Sequence, residues 1–175
     1  MLYLYCPDQA GFYVQMLRER LPGWRIACWP EAVAADEVTH VAAWGAPTGF
    51  FASFRNLRVV FNLGAGVDSL LRRDDIAERV AIVRLTDAGM AQQMIEYCLY
   101  GVLHYQRDLD IYRRQQHAGQ WLPRDARPAA SVRVSVLGLG ELGRKVAGEL
   151  TRFGYCVRGW SRRARVVDGV DCRNG

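Results

Sequence analysis

Gly138, Gly140 and Gly143 carry the most specific chemical pattern in the sequence. They form a G-x-G-x-x-G triplet inside Ser131-Val-Arg-Val-Ser-Val-Leu-Gly-Leu-Gly-Glu-Leu-Gly143. The chemistry such spacing serves is the holding of a dinucleotide pyrophosphate. The first glycine permits the tight turn, the second lets backbone approach the phosphates, and the third lets a helix pack closely on a strand. The candidate cradle is therefore Gly138, Leu139, Gly140, Glu141, Leu142 and Gly143, with free amides and the helix dipole facing the anion. A tight strand–helix turn without ligand is the competing reading. About 20 residues after such a turn lies the group that reads the adenosine ribose. Here Ser161, Arg162 and Arg163 stand at that place. A carboxylate would repel a 2′-phosphate, whereas serine and guanidinium groups hydrogen-bond it. The expected cofactor is NADP, with NAD possible; a solvated run of arginines is the alternative.

A second glycine loop, Gly64-Ala-Gly-Val67, directly follows an apolar stretch. Its small side chains expose backbone N–H groups to an anion, although a G-A-G turn can also be a plain connection. Proton-transfer groups are scarce. His40 precedes a strand, and His104 and His117 belong to a long helix or its end. None is a credible general acid. Asp68 and Glu96 read as loop-bracing or helix-end carboxylates, and no metal-ligating cluster stands out.

The elements that must position these groups alternate strand and helix. Leu2–Cys6, 24–29, 38–44, 57–61 and 80–85 read as strands. Residues 12–21, with Val14, Leu17 and Leu21 at helical spacing, and 69–72 read as helices, and 50–54 reads as a short one. This alternation implies a parallel sheet covered by helices. Residues 90–116 form one long helical pattern with an apolar stripe at Met94, Ile95, Cys98, Leu99, Val102 and Leu103; its methionines read as core. The expected change of domain falls inside that helix, giving residues 1–98 and 99–175. The strand 132–137, the helix after Gly140 and a strand at 155–160 complete the pattern. The polar run after Arg163 offers no third strand, so the nucleotide domain reads as incomplete.

Half of the 175 residues are apolar and the net charge is +5. No apolar run is long enough for a membrane span, and the N-terminus lacks the features of a signal peptide. Five cysteines with no C-x-x-C pair fit free thiols in a reducing cytoplasm. The arginines from Arg144 to Arg165 could suggest nucleic acid, but no binding motif accompanies them. No nucleic-acid or membrane partner is expected.

Taken together, Phe61-Asn-Leu-Gly-Ala-Gly-Val-Asp-Ser69, Asp87-Ala-Gly-Met-Ala-Gln-Gln-Met-Ile-Glu-Tyr97, Val136–Gly143 and Trp160-Ser-Arg162 resemble the D-isomer-specific 2-hydroxyacid dehydrogenases. The resemblance covers nearly the whole chain and implies a flavodoxin-like substrate domain followed by the first part of a Rossmann nucleotide domain. It implies hydride transfer from NAD(P)H to the carbonyl of a small 2-oxo acid such as glyoxylate or hydroxypyruvate, in a homodimer when full-length. It also implies that Gly64, Ala65, Gly66 and Val67 bind the substrate carboxylate. Trp44 stands either as a wall of that pocket or as an ordinary core tryptophan. The family's catalytic arginine, glutamate and histidine have no counterpart in residues 1–175. The chain is therefore expected to be an inactive N-terminal fragment, with no catalytic residues assigned. A Rossmann-type methyltransferase and a non-catalytic nucleotide-binding protein or partner subunit are the alternatives.

Overall fold

The computed structural model describes residues Met1–Gly175. The chain divides into two compact units, Met1–Thr86 and Asp87–Gly175.

The first unit is a five-stranded parallel sheet. Its strands are β1 (Leu2–Tyr5), β2 (Ile26–Cys28), β3 (His40–Ala43), β4 (Val59–Asn62) and β5 (Ala81–Arg84), in the order β2-β1-β3-β4-β5. That order is the flavodoxin-like one, with its topological switch between β1 and β3. Alternation along the strands fills two cores. Leu2 and Leu4 pack with Val14, Leu17 and Leu21 of the α1 region (α1, Ala10–Arg20). Tyr3, Val41 and Val60 face the other way onto Phe51, Phe54 and Leu57. A parallel sheet buried on both faces needs such continuous apolar strands.

All the ends that could bear ligands lie together. β1, β3 and β4 pair in register, Tyr5 opposite Ala43 and Ala43 opposite Asn62. Their carboxyl ends therefore emit Cys6, Trp44 and the Leu63–Val67 loop along one edge. The segment after Trp44 is pinned by Arg73. Its guanidinium donates to the carbonyls of Ala46 (2.8 Å) and Pro47 (2.6 Å), and to both oxygens of Asp75. It also stacks over Phe51 at 4.8 Å. Arg73 holds the Asp75 carboxyl below its ordinary range, against the opposing effect of burial.

The second unit has a three-stranded parallel sheet in the order β6-β7-β8. Its strands are β6 (Arg133–Leu137), β7 (Cys156–Ser161) and β8 (Asp171–Asn174). The last corrects the expectation of no third strand. Asp171 pairs with Arg158 of β7 at 2.9 Å, while Val167, Val170 and Cys172 pack on the core. Ion pairing and edge position let a short polar segment serve as a strand. Between β6 and β7 crosses α5 (Glu141–Arg152), which buries Val146, Ala147 and Leu150. The stripe Met94, Ile95, Cys98, Leu99 and Val102 packs against that core, so Met94 is structural, whereas Met90 at the start of the helix is exposed.

The expected single helix over 90–116 is two. α3 spans Met90–Gln106 and α4 spans Leu109–His117. Asp108 takes a left-handed conformation (φ 52°) between them, and its carboxylate pairs with Arg124 and Arg127, both at 2.8 Å. The return loop thus draws the helix apart. α3 packs on α5, and the compact units divide at Thr86–Asp87.

Candidate functional site

Two candidate sites are built from backbone amides, one in each unit. In the second unit β6 ends at Leu137, and Gly138 turns with φ +109°, a conformation L side chains rarely adopt. A Cβ on Gly143 would collide with the Gly138 carbonyl, so α5 can approach the turn only because that residue is glycine. The Leu139 side chain turns into the core, 1 % exposed, and fills the space above Gly159. Gly138 N donates to Trp160 O at 2.8 Å, which ties the turn to the end of β7.

That tie brings the predicted residues together. Gly138, Leu139, Gly140, Ser161, Arg162 and Arg163 line one hollow of about 640 Å³, joined by Trp160 and Arg165. The lining holds no acidic side chain. Ser161 Oγ donates to Arg163 O at 2.7 Å, which fixes the bend after β7. Glu141 lies in an adjoining hollow of about 450 Å³ with Arg144 and Arg165. Its carboxylate is engaged by Arg144 (2.6 Å) and Lys145 (3.2 Å), which keep its pKa below the usual range. Leu142 and Gly143 line neither hollow. Sequence reasoning included Arg165 only in a general basic cluster. It also missed Lys145, which reaches Asp87 at 2.5 Å, while Asp87 accepts the Gly89 and Ala91 amides at the start of α3.

In the first unit the Gly64–Val67 loop is oriented through its carbonyls. Asn62, 7 % exposed, donates from Nδ2 to Gly64 O (2.9 Å) and Gly66 O (2.7 Å). Leu85 N also donates to Gly64 O (3.2 Å), and Arg84 donates to Ala65 O (3.3 Å). With three successive carbonyls held by the protein, the loop's N–H groups remain as its available polar groups. Trp44 is 55 % exposed, and its ring occupies the space a Cβ on Gly64 would take. It therefore lies on the loop, not in the core. Asn62 and Arg84 were missed at the sequence level. The signal available was an asparagine ending an apolar strand just before the glycines.

The histidines stand elsewhere. His40 begins β3, at the end of the strand opposite Trp44, and lies between the Trp24 and Phe61 rings. Burial pushes its pKa down, aided by the N-terminal amine and Arg58. His104 and His117 lie on α3 and α4. No group of metal-ligating side chains forms a site, and no helix is long and apolar enough to cross a membrane.

Residues 99–173 match the NAD binding domain of the D-isomer specific 2-hydroxyacid dehydrogenases. A solved family member from Xanthobacter autotrophicus Py2, in complex with NADPH and MES, superposes with a TM-score of 0.91 at 40% identity. The match covers 99% of this chain and 57% of that one. The chain matches the D-isomer specific 2-hydroxyacid dehydrogenase family. Within the family, the glyoxylate/hydroxypyruvate reductase A of Serratia proteamaculans is 38% identical over 161 residues, covering 88% of this chain and 50% of the relative. The NADPH-dependent glyoxylate/hydroxypyruvate reductase of Sinorhizobium meliloti, in complex with NADP and sulfate, has a TM-score of 0.85 at 26% identity. That match covers 99% of this chain and 56% of that one. The chain spans about half the length of the curated relatives it matches. Its two units correspond to the family's substrate-binding architecture and to part of its Rossmann nucleotide-binding architecture.

Proposed function

We propose that this chain contributes two binding surfaces to an NADPH-dependent reductase of small 2-oxo acids, glyoxylate or hydroxypyruvate. In this reading the substrate domain takes residues 1–98, running past the compact unit Met1–Thr86 into α3, the nucleotide domain takes 99–175, and the full-length protein is a homodimer. The Gly64–Val67 amides hold the substrate carboxylate, with Trp44 beside them. The Gly138–Gly143 turn holds the pyrophosphate, and Ser161, Arg162 and Arg163 take the 2′-phosphate of the adenosine ribose. Bound NADPH supplies the hydride that reduces the carbonyl carbon. The chain's own residues bind and orient; none of its three histidines stands where a proton could be delivered to the product, so these residues alone do not turn over.

The observation that carries this reading is the hollow joining the glycine turn to Ser161, Arg162, Arg163 and Arg165 without a carboxylate. A 2′-phosphate is dianionic and needs charge-assisted donors, while an acid there would select the 2′-hydroxyl. The purified chain is titrated with NADPH and NADH, following nicotinamide fluorescence, and then mixed with glyoxylate. Tighter NADPH binding is expected, with no loss of nicotinamide absorbance. Ser161→Asp combined with Arg162→Ala should cost the NADPH preference about tenfold or more. An unchanged ratio would reject the assignment.

A further inference from the structure

A cavity of about 280 Å³ lies at the carboxyl ends of β1 and β3, lined by Cys6, Asp8, Gln9, Tyr13, Trp44 and Leu63. It sits at the topological switch of the first sheet, the place where open α/β sheets take ligands. It also adjoins the carbonyl-anchored loop. Leu63 directly precedes Gly64, and Trp44, one of its walls, lies against Gly64. The polar groups it presents have no structural duty. The hydrogen bonds and ion pairs that brace this unit are made by other side chains, Tyr3, Arg18, Arg25, Asn62, Arg73 and Arg84 among them. The side chains of Asp8, Gln9 and Tyr13 take no part in them.

We propose that this cavity receives the tail of the substrate beyond its 2-oxo acid head and selects an uncharged, hydroxyl-bearing tail. The proposal rests on the reading of Gly64–Val67 as the carboxylate loop. A carboxylate accepts a hydrogen bond from an aliphatic hydroxyl, and a carboxamide and a phenol can each donate to or accept from it. The Asp8 carboxylate, exposed in the lining, disfavours a second acid group brought beside it, because like charges a few ångströms apart repel. The exposed Trp44 ring offers an apolar face to the carbon that bears the hydroxyl. A substrate without a tail, such as glyoxylate, leaves the cavity to water. Hydroxypyruvate fills it, and a 2-oxo diacid such as oxaloacetate is refused.

The test is a titration of the isotopically labelled full chain with glyoxylate, hydroxypyruvate and oxaloacetate, following backbone amide resonances. Glyoxylate and hydroxypyruvate should both shift the Gly64–Val67 amides. Only hydroxypyruvate should also shift Asp8, Gln9 and the Trp44 indole N–H, and it should bind more tightly. Tyr13→Phe should weaken hydroxypyruvate about fivefold, the loss of one hydrogen bond, and leave glyoxylate unchanged. Asp8→Asn should improve oxaloacetate binding without altering glyoxylate. Should the loop amides respond to glyoxylate and hydroxypyruvate while the cavity resonances do not distinguish them, the tail-reading role is overturned and the carboxylate loop stands. Tighter binding of oxaloacetate than of hydroxypyruvate overturns it equally. Silence of the loop amides toward all three acids removes the underlying reading, and the cavity's role with it.

Discussion

The two glycine loops orient their amides by different physical means. At Gly138–Gly143 the donors belong to the first turn of a twelve-residue helix, so orientation comes from regular structure and the dipole adds to it. At Gly64–Val67 the helix that follows, α2 (Asp68–Leu71), is only four residues long. Orientation there comes from outside the loop, through Asn62, Arg84 and the Leu85 amide. A helix start is a local device and needs glycine for close packing. A carbonyl-anchored loop is a tertiary device and needs its anchors. Glycines that look alike in sequence therefore have unequal tolerance.

Gly143→Ala should have the largest effect. The new Cβ meets the Gly138 carbonyl, and backbone cannot move aside without opening the turn. Overpacking of this kind costs up to about 3 kcal/mol, so denaturant unfolding of the second unit should show a markedly lower midpoint. An unchanged midpoint would mean the turn is looser than its contacts indicate. Asn62→Ala comes next. It leaves the Gly66 carbonyl without its donor and the Gly64 carbonyl with the Leu85 amide alone, at a cost of about 2 kcal/mol, and loosens the loop. Glyoxylate binding should fall about tenfold while NADPH binding by the second unit is untouched. Equal loss of both ligands would show a general defect instead of a positioning role. Gly64→Ala should be the mildest. Its Cβ meets only the ring of the half-exposed Trp44, which can swing away. The stability change should stay within about 0.5 kcal/mol, read from the same denaturation curve. A loss as large as that of Gly143→Ala would erase the contrast between the two loops.

What the sequence disclosed follows the same division. The glycine turn, the strand before it and the helix after it are local patterns, and they lie where their periodicities put them. The parallel first sheet was legible from five short apolar runs separated by helices and turns. The break at Asp108 was not, because the residues that stabilise it, Arg124 and Arg127, lie beyond the helix. β8 was hidden for a related reason: it is short and polar, and its ion pair to Arg158 exists only after pairing with β7. Ser161, Arg162 and Arg163 were named by counting residues from the turn, and they line the hollow beside it. Asn62 escaped because its work is done on its neighbours' carbonyls, which no side-chain pattern records.

The left-handed aspartate between α3 and α4 sets a narrow rule for which residues evolution could place there. Its backbone, at φ 52°, tolerates glycine, asparagine or aspartate and penalises branched or bulky side chains. Its two arginine partners, 16 and 19 residues away, demand a carboxylate on a short stem. Glycine would keep the bend and release the loop that carries Arg124 and Arg127. Glutamate would keep the charge but not the conformation, and asparagine would keep the conformation but not the charge. Aspartate alone meets both demands, so position 108 should drift as little as Gly138 and Gly143, for reasons of folding alone.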